Sequence, residues 1–323
     1  LKETFSDASV SMLVNSGTED VLAGNALIDK LIVFDRTIKK LSVLKRFLKE
    51  IYFLRDIKAE GFDMAVDLTG GDRAAILSFL SGAWYRLAAD PGKKGFTGKR
   101  YLYTHLANID KQKHMALQNL DVVRQFGIDT KNLDIDFFIP EKDLDYAQKT
   151  LLDNKVGGND FIVLIQATAK WLFKCWEDES FAQVIDSLHD RGARVLLTNS
   201  MDHKELEKTN RIISLCNNPP INLGPSTIKQ LAAFIQCAHL FIGVDSAPMH
   251  IAAAVKTPVI ALFGPTGKEW IPYGKGNIVI SKDMPCKPCK KGMCEGIALR
   301  ECMTTIKPDD VKEAVNKILK EAL

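Results

Sequence analysis

The sequence predicts an α/β protein of two doubly wound domains facing a central cleft. Three observations predict it. Short apolar, β-branched runs alternate with helical patterns along most of the chain, the rhythm of parallel sheets with right-handed crossovers. The 323 residues exceed one ordinary α/β core. A polar stretch over residues 140–160, helical in its first part and linker-like toward Gly157 and Gly158, separates the rhythmic halves and divides the chain into residues 1–150 and 151–323. Two such sheets joined by a linker turn the carboxyl ends of their strands toward a shared crevice.

In the first half, strands are expected at residues 10–15, 30–35 and 64–69. Helices are expected at 18–23, 39–60 and 113–126, with Gly127 as the last helix stop. A doubly wound domain normally opens on a strand, so a strand–loop–helix unit is expected ahead of residue 1. In the second half, strands are expected at residues 161–167, 194–198, 221–223, 240–245 and 259–263. These are apolar runs suited to burial on both faces. Helices are expected at 180–189, 202–215, 227–237, 248–255 and 308–323.

Hydrophobic residues make up 46% and charged residues 26%, an ordinary globular balance that excludes a largely disordered chain. A net charge of +3 and a pI near 8.4 fall short of a dedicated nucleic-acid binder. They leave room for one local cationic patch facing an anionic partner. No run approaches the ~18 apolar residues of a membrane span, and Leu1 to Phe5 lack the parts of a signal peptide. No GxGxxG follows a strand, and no P-loop or GxSxG elbow occurs, which disfavours a dinucleotide oxidoreductase, an NTPase and a hydrolase.

Asp245-Ser246-Ala247-Pro248-Met249-His250 is the most informative segment. A buried strand ends at Asp245, Ser246 suits a helix N-cap and Pro248 the first turn. The free amides and positive end of that helix would hold a diphosphate, and Asp245 would accept hydrogen bonds from sugar hydroxyls. His250 lies one turn in, on the face of Ser246. The same spacing would also serve a capped helix with a satisfied histidine. In the run from Gln166 to Trp176, Thr168 offers a hydroxyl and Lys174 a point charge to a leaving diphosphate; the plainer alternative is a surface lysine beside core tryptophans. In the first half, Asp67, Thr69 and Arg73 surround a glycine turn at a strand tip, and Lys93, Lys94, Lys99 and Arg100 form a basic, glycine-spaced run. Both could meet an acceptor, the second through its phosphates, though Asp72 could equally cap a helix. Cys286-x2-Cys289-x4-Cys294-x7-Cys302 suits a structural tetrahedral zinc better than an iron–sulfur cluster, with free thiols or an adventitious disulfide as the alternative. All seven cysteines are expected reduced.

Phe241 to Ala254, continued by Thr257 to Pro265, resembles glycosyltransferase family 9, the ADP-heptose–lipopolysaccharide heptosyltransferases. Gln166 to Trp176, Asp67 to Thr69 and the region from His114 to Val123 resemble its heptosyltransferase III branch, and the tail from Cys302 to Val311 occurs in some members. The resemblance implies a GT-B fold of two Rossmann-like domains and an inverting, metal-independent transfer with no required cofactor. It implies an ADP-heptose donor and a lipid A-core acceptor. The setting it implies is cytoplasmic, with peripheral contact at the inner face of the inner membrane. Carried over, Thr168 and Lys174 would contact the diphosphate and sugar, Asp245 the sugar, and Ser246, Ala247 and His250 would form the phosphate-facing helix start. Lys174 and Asp245 are the catalytic candidates. The family's Gly-Asp loop, whose aspartate would be the general base, is expected upstream of Leu1. Thr168-Ala169 carries alanine where some relatives have a second hydroxyl. Two other readings stand beside this one: a transferase using another nucleotide sugar, and a non-catalytic sugar-nucleotide-binding module.

Overall fold

Both halves fold as parallel sheets wrapped by helices, as the alternating rhythm requires. The structure, a computed structural model, describes residues 1–289, 294 and 299–322. Contacts divide the chain into one unit of residues 1–19 with 26–133 and a second of residues 20–25 with 134–323.

In the first unit, β1 (Ser11–Asn15) pairs in parallel with β2 (Lys30–Phe34). Helix α1 (Val43–Ala59) leads to β3 (Met64–Asp67), α2 (Asp72–Leu80), β4 (Tyr85–Ala89), β5 (His105–Ala107) and α3 (Met115–Arg124). The last three strands form a parallel sheet in the order β3-β4-β5. The core is small: Leu87 packs with Val122, Val123 and Ile128, and Ala75 with Ala88 and Tyr103. The helix expected at residues 18–23 is only a single 3-10 turn, Glu19–Val21. Gly17 and Gly24, both at positive φ, bracket it and leave no room for α turns.

The second unit opens with α4 (Glu141–Asp153), followed by β6 (Ile162–Gln166), α5 (Asp178–His189), β7 (Arg194–Asn199), α6 (His203–Leu215) and β8 (Ile221–Pro225). Then come α7 (Ile228–Cys237), β9 (Leu240–Val244), α8 (Ala247–Ala254), β10 (Val259–Leu262), β11 (Ile278–Ile280), α9 (Glu301–Thr304) and α10 (Pro308–Ala322). Six parallel strands run in the order β11-β10-β9-β6-β7-β8. Alternate residues of one strand face opposite sides. Val163 and Ile165 pack with Phe181 and Ile185 of α5, Ile212 of α6 and Val315 of α10. Ile162 and Leu164 pack with Leu151 of α4, Phe234 of α7 and Met249 of α8. The sheet is thus buried on both faces, and every residue of β6 and β9 is buried.

Helix α4 shows why the division falls at 133/134 rather than at the expected 150/151. Its Ala147 and Leu151 are buried against α7, and Tyr146 meets Phe234 edge-on at 6.0 Å. Leading into it, the backbone oxygen of Phe138 accepts from Lys229 Nζ at 2.6 Å. The polar stretch is therefore an outer layer of the second unit.

Candidate functional site

Strand order in the second unit reverses between β6 and β9, which lie side by side with β7 beyond β6 and β10 beyond β9. In open parallel sheets such a switch point opens a crevice at the carboxyl ends of the strands, because neighbouring crossovers leave in opposite directions. A cavity of about 390 Å³ lies there. It is lined by Gln166, Thr168 and Trp171 after β6, Asn199 and Glu205 after β7, Ser226, Ile228 and Leu231 after β8, and Asp245 to Pro248 after β9. Four of the expected donor residues meet here with Lys174.

Asp245 follows β9 directly and is 7% exposed. Its Oδ2 accepts from Lys174 Nζ at 2.7 Å and from the Thr266 hydroxyl. Both donors take the same oxygen. Lys174 reaches this point because residues 169–175 form a tight loop. The amide of Ala169 meets Cys175 Sγ at 3.3 Å, a 3-10 turn spans Leu172–Lys174, and Trp176 Nε1 donates to Ile306 O at 3.0 Å. Burial pushes the Cys175 thiol up, so it stays a neutral packing group.

Ser246 occupies the N-cap position of α8, but its side chain makes no capping hydrogen bond. Its hydroxyl turns back to Val244 O at 3.2 Å, and Pro248 lies within the first turn. Pro248 has no N–H and the Met249 amide donates to Ser246 O at 3.3 Å, so the Ala247 amide is the opening donor of α8 left for a ligand at this cavity, which Lys174 also lines. His250 is half-buried one turn further in and does not line the cavity.

Thr168 is 1% exposed. Its hydroxyl donates to Glu205 Oε2 at 2.6 Å and accepts from Gln166 Nε2 at 2.7 Å. Glu205 is the site residue that sequence reasoning missed. Asp202-x-x-Glu205 has the form of a capping box, which disguises it. In the structure Asp202 caps α6 through the Lys204 amide, while Glu205 turns across to Thr168. Thr266 was also missed; only its place two residues beyond Gly264, past the end of β10, hints at it. Ile228 and Leu231, from the start of the helix that follows β8, supply apolar lining.

The first unit holds its expected residues in a separate constellation. Asp67 ends β3, and its Oδ1 accepts from the Thr69 amide at 2.8 Å, the Thr69 hydroxyl at 2.9 Å and the Gly70 amide at 3.0 Å. Its Oδ2 accepts from the Tyr103 hydroxyl at 2.6 Å. Lys99 is 3% exposed, donating to Gly70 O at 2.6 Å and pairing with Asp72 at 3.1 Å. Gly71, not Asp72, is the N-cap of α2. Arg73 grips both oxygens of Glu50 at 2.8 and 2.7 Å and lies 3.7 Å over the Phe34 ring. Lys93, Lys94 and Arg100 are exposed.

None of Cys286, Cys289, Cys294 and Cys302 forms a disulfide. Among the described residues no group of three or more His, Cys, Asp or Glu is arranged to hold a metal ion, so the expected zinc site finds no support. The four thiols are placed apart in role. Cys302 is buried in the core, Cys294 Sγ accepts from the Arg300 amide at 3.2 Å, and Cys286 is exposed.

The sequence model of glycosyltransferase family 9 (heptosyltransferase) matches residues 51–296. The chain belongs to this family. It is a glycosyltransferase, and its two Rossmann-like units are those of the GT-B class. Among relatives, a lipopolysaccharide heptosyltransferase 3 of Escherichia coli is 34% identical over 281 residues, covering 86% of this chain and 81% of its own. The protein of that name from Escherichia coli strain K12 is 31% identical over 325 residues, covering 99% and 92%. A solved structure of a family 9 glycosyl transferase from Veillonella parvula shares the fold with a TM-score of 0.86 at 24% identity, covering 99% of this chain and 91% of that one.

Proposed function

We propose that this chain transfers heptose from ADP-heptose to a sugar of the lipopolysaccharide inner core. The observation that carries the reading is the double use of Asp245 Oδ2 by Lys174 and Thr266, beside the uncapped start of α8. An ammonium and the Ala247 amide support a diphosphate at this end of the cavity, and the second carboxylate oxygen of Asp245 supports contact with sugar hydroxyls. The nucleoside would extend toward Ile228 and Leu231, with the ribose hydroxyls near Glu205. The names of the two Escherichia coli relatives support the choice of sugar and acceptor.

In the proposed reaction an acceptor hydroxyl attacks the anomeric carbon from the face opposite the diphosphate, and a carboxylate takes its proton. The bond from carbon to phosphate oxygen breaks, its electron pair leaves with ADP, and the new glycosidic bond has inverted configuration. Charge grows on the departing phosphate, and Lys174 and the Ala247 amide are already in place to stabilise it. The exposed lysines and arginine of residues 93–100 would meet phosphates of the acceptor. No helix among the described residues is long and apolar enough to cross a membrane. Exposed Val43, Leu44 and Phe47, next to Lys45, Arg46 and Lys49, support a peripheral approach to a lipid-anchored acceptor at the cytoplasmic face.

Mass-spectrometric detection of heptose transfer onto a truncated core acceptor tests the reading, run beside UDP- and GDP-sugars as rival donors. Product from ADP-heptose alone, lost in both Lys174→Ala and Asp245→Ala, is expected. Equal turnover of another nucleotide sugar would replace the donor assignment, and unchanged rates in both variants would remove the site assignment.

A further inference from the structure

Trp171 is the large apolar side chain of the site that the reaction scheme leaves unused. It lines the cavity yet remains 50% exposed. One face of the indole stacks on Phe173, with ring centroids 5.8 Å apart and planes inclined by 17°. The Lys174 ammonium lies over the ring, 5.4 Å from its centroid, and this is the ammonium that holds Asp245. Phe173 and the tight turn Leu172–Lys174 brace the ring. So braced, half open to solvent and lining a largely apolar cavity with Lys174 and Asp245, the indole belongs to neither core cluster of the second unit. It is available to a ligand.

The ligand that fits combines an apolar face with a rim of hydroxyls. A pyranose does so: its axial C–H bonds present a weakly positive, apolar face to the electron-rich indole, while its hydroxyls reach Asp245 Oδ1. A nucleobase would also stack, but its natural seat is the apolar wall of Ile228 and Leu231, on the β8 side of the cavity.

We propose that Trp171 is a stacking platform for the pyranose ring held beside the Lys174–Asp245 pair, and so sets the preference for the sugar rather than for the nucleotide. This rests on the nucleotide-sugar reading of the cavity. The pyranose could come from the donor or from the acceptor, and the experiment separates the two.

Calorimetric titration of ADP and of ADP-heptose into the wild-type chain, Trp171→Phe and Trp171→Ala gives the first arm. Steady-state KM for the acceptor gives the second. ADP affinity is expected to stay within about twofold in all three proteins, since ADP carries no sugar to stack. In Trp171→Ala, ADP-heptose binding weakens about tenfold if the ring is the donor's, or acceptor KM rises about tenfold if it is the acceptor's. Trp171→Phe recovers most of either loss, which a merely structural role for the indole would not give. Equal weakening of ADP and ADP-heptose would overturn the proposal by placing the nucleotide on the ring. So would ADP-heptose affinity and acceptor KM both within twofold of wild type. Failure of the wild-type chain to bind ADP would instead strike at the nucleotide-sugar reading itself.

Discussion

Asp245 Oδ2 takes both side-chain donors, and the carboxylate is held by Thr266 as well as by Lys174. Removing the hydroxyl in Thr266→Val leaves one donor on Oδ2 and frees the carboxylate to rotate. Hydrogen bonds to charged groups contribute roughly 1.5–3 kcal/mol. Steady-state kinetics should therefore show kcat/KM for ADP-heptose falling about tenfold while ADP affinity holds. Lys174→Ala should cost more, about 100-fold in kcat, because it removes the fixed positive charge at the breaking bond. Unchanged kinetics in Thr266→Val would mean that Lys174 alone orients the carboxylate. The place of Asp245 at a strand tip was legible because a strand end, a small-residue turn and a helix start lie consecutively in sequence, and that of Lys174 because its run follows the first strand of the second half. Glu205 was not, because its partner Thr168 is 37 residues away and its local pattern matches a helix cap.

At the scale of elements, the strands of the second unit were legible because burial on both faces leaves uninterrupted apolar runs. Strands β4 and β5 escaped notice. The first mixes Tyr85 and Arg86 into its five residues, and the second is three residues long at a sheet edge. Helix α7 carries a full capping box: Thr227 accepts from the Gln230 amide, and the Gln230 side chain accepts from the Thr227 amide. Thr227→Ala should cost about 1 kcal/mol of stability, read as a lower urea midpoint. A midpoint unchanged by the substitution would show that burial of Phe234 and Leu231 alone fixes the helix start. Gly95 belongs to this scale too. At φ +89° a Cβ there would come within 2.3 Å of Asp72 Oδ1 and 2.7 Å of the Lys99 side chain. The glycine spacing of the basic run thus permits the Asp72–Lys99 pairing, besides lengthening the loop.

Over the whole molecule, the two units differ in how much core they bury, and the first depends more on polar ties. Burial, then the hydrogen bond to Asp67, pushes the Tyr103 phenol above its ordinary 10.0. The folded chain therefore keeps a proton that the unfolded chain gives up once pH passes that value. The stabilisation is complete below it and is lost as pH climbs toward the folded value. Urea midpoints taken from about pH 9 to about pH 11 should fall more steeply for wild type than for Tyr103→Phe, which has no phenol to titrate. Parallel slopes would show that the phenol titrates normally. The expected division at 150/151 followed the linker-like end of the polar stretch, whose helical first part is α4. Only its packing on α7, some 80 residues on in the chain, assigns it.

A structure of this chain with ADP bound tests most directly whether a diphosphate is seated at the start of α8. The phosphates are expected within hydrogen-bonding distance of the Ser246 and Ala247 amides and of Lys174 Nζ, with the base against Ile228 and Leu231. ADP bound elsewhere, or phosphates held away from those amides with Lys174 still closed on Asp245, would contradict it.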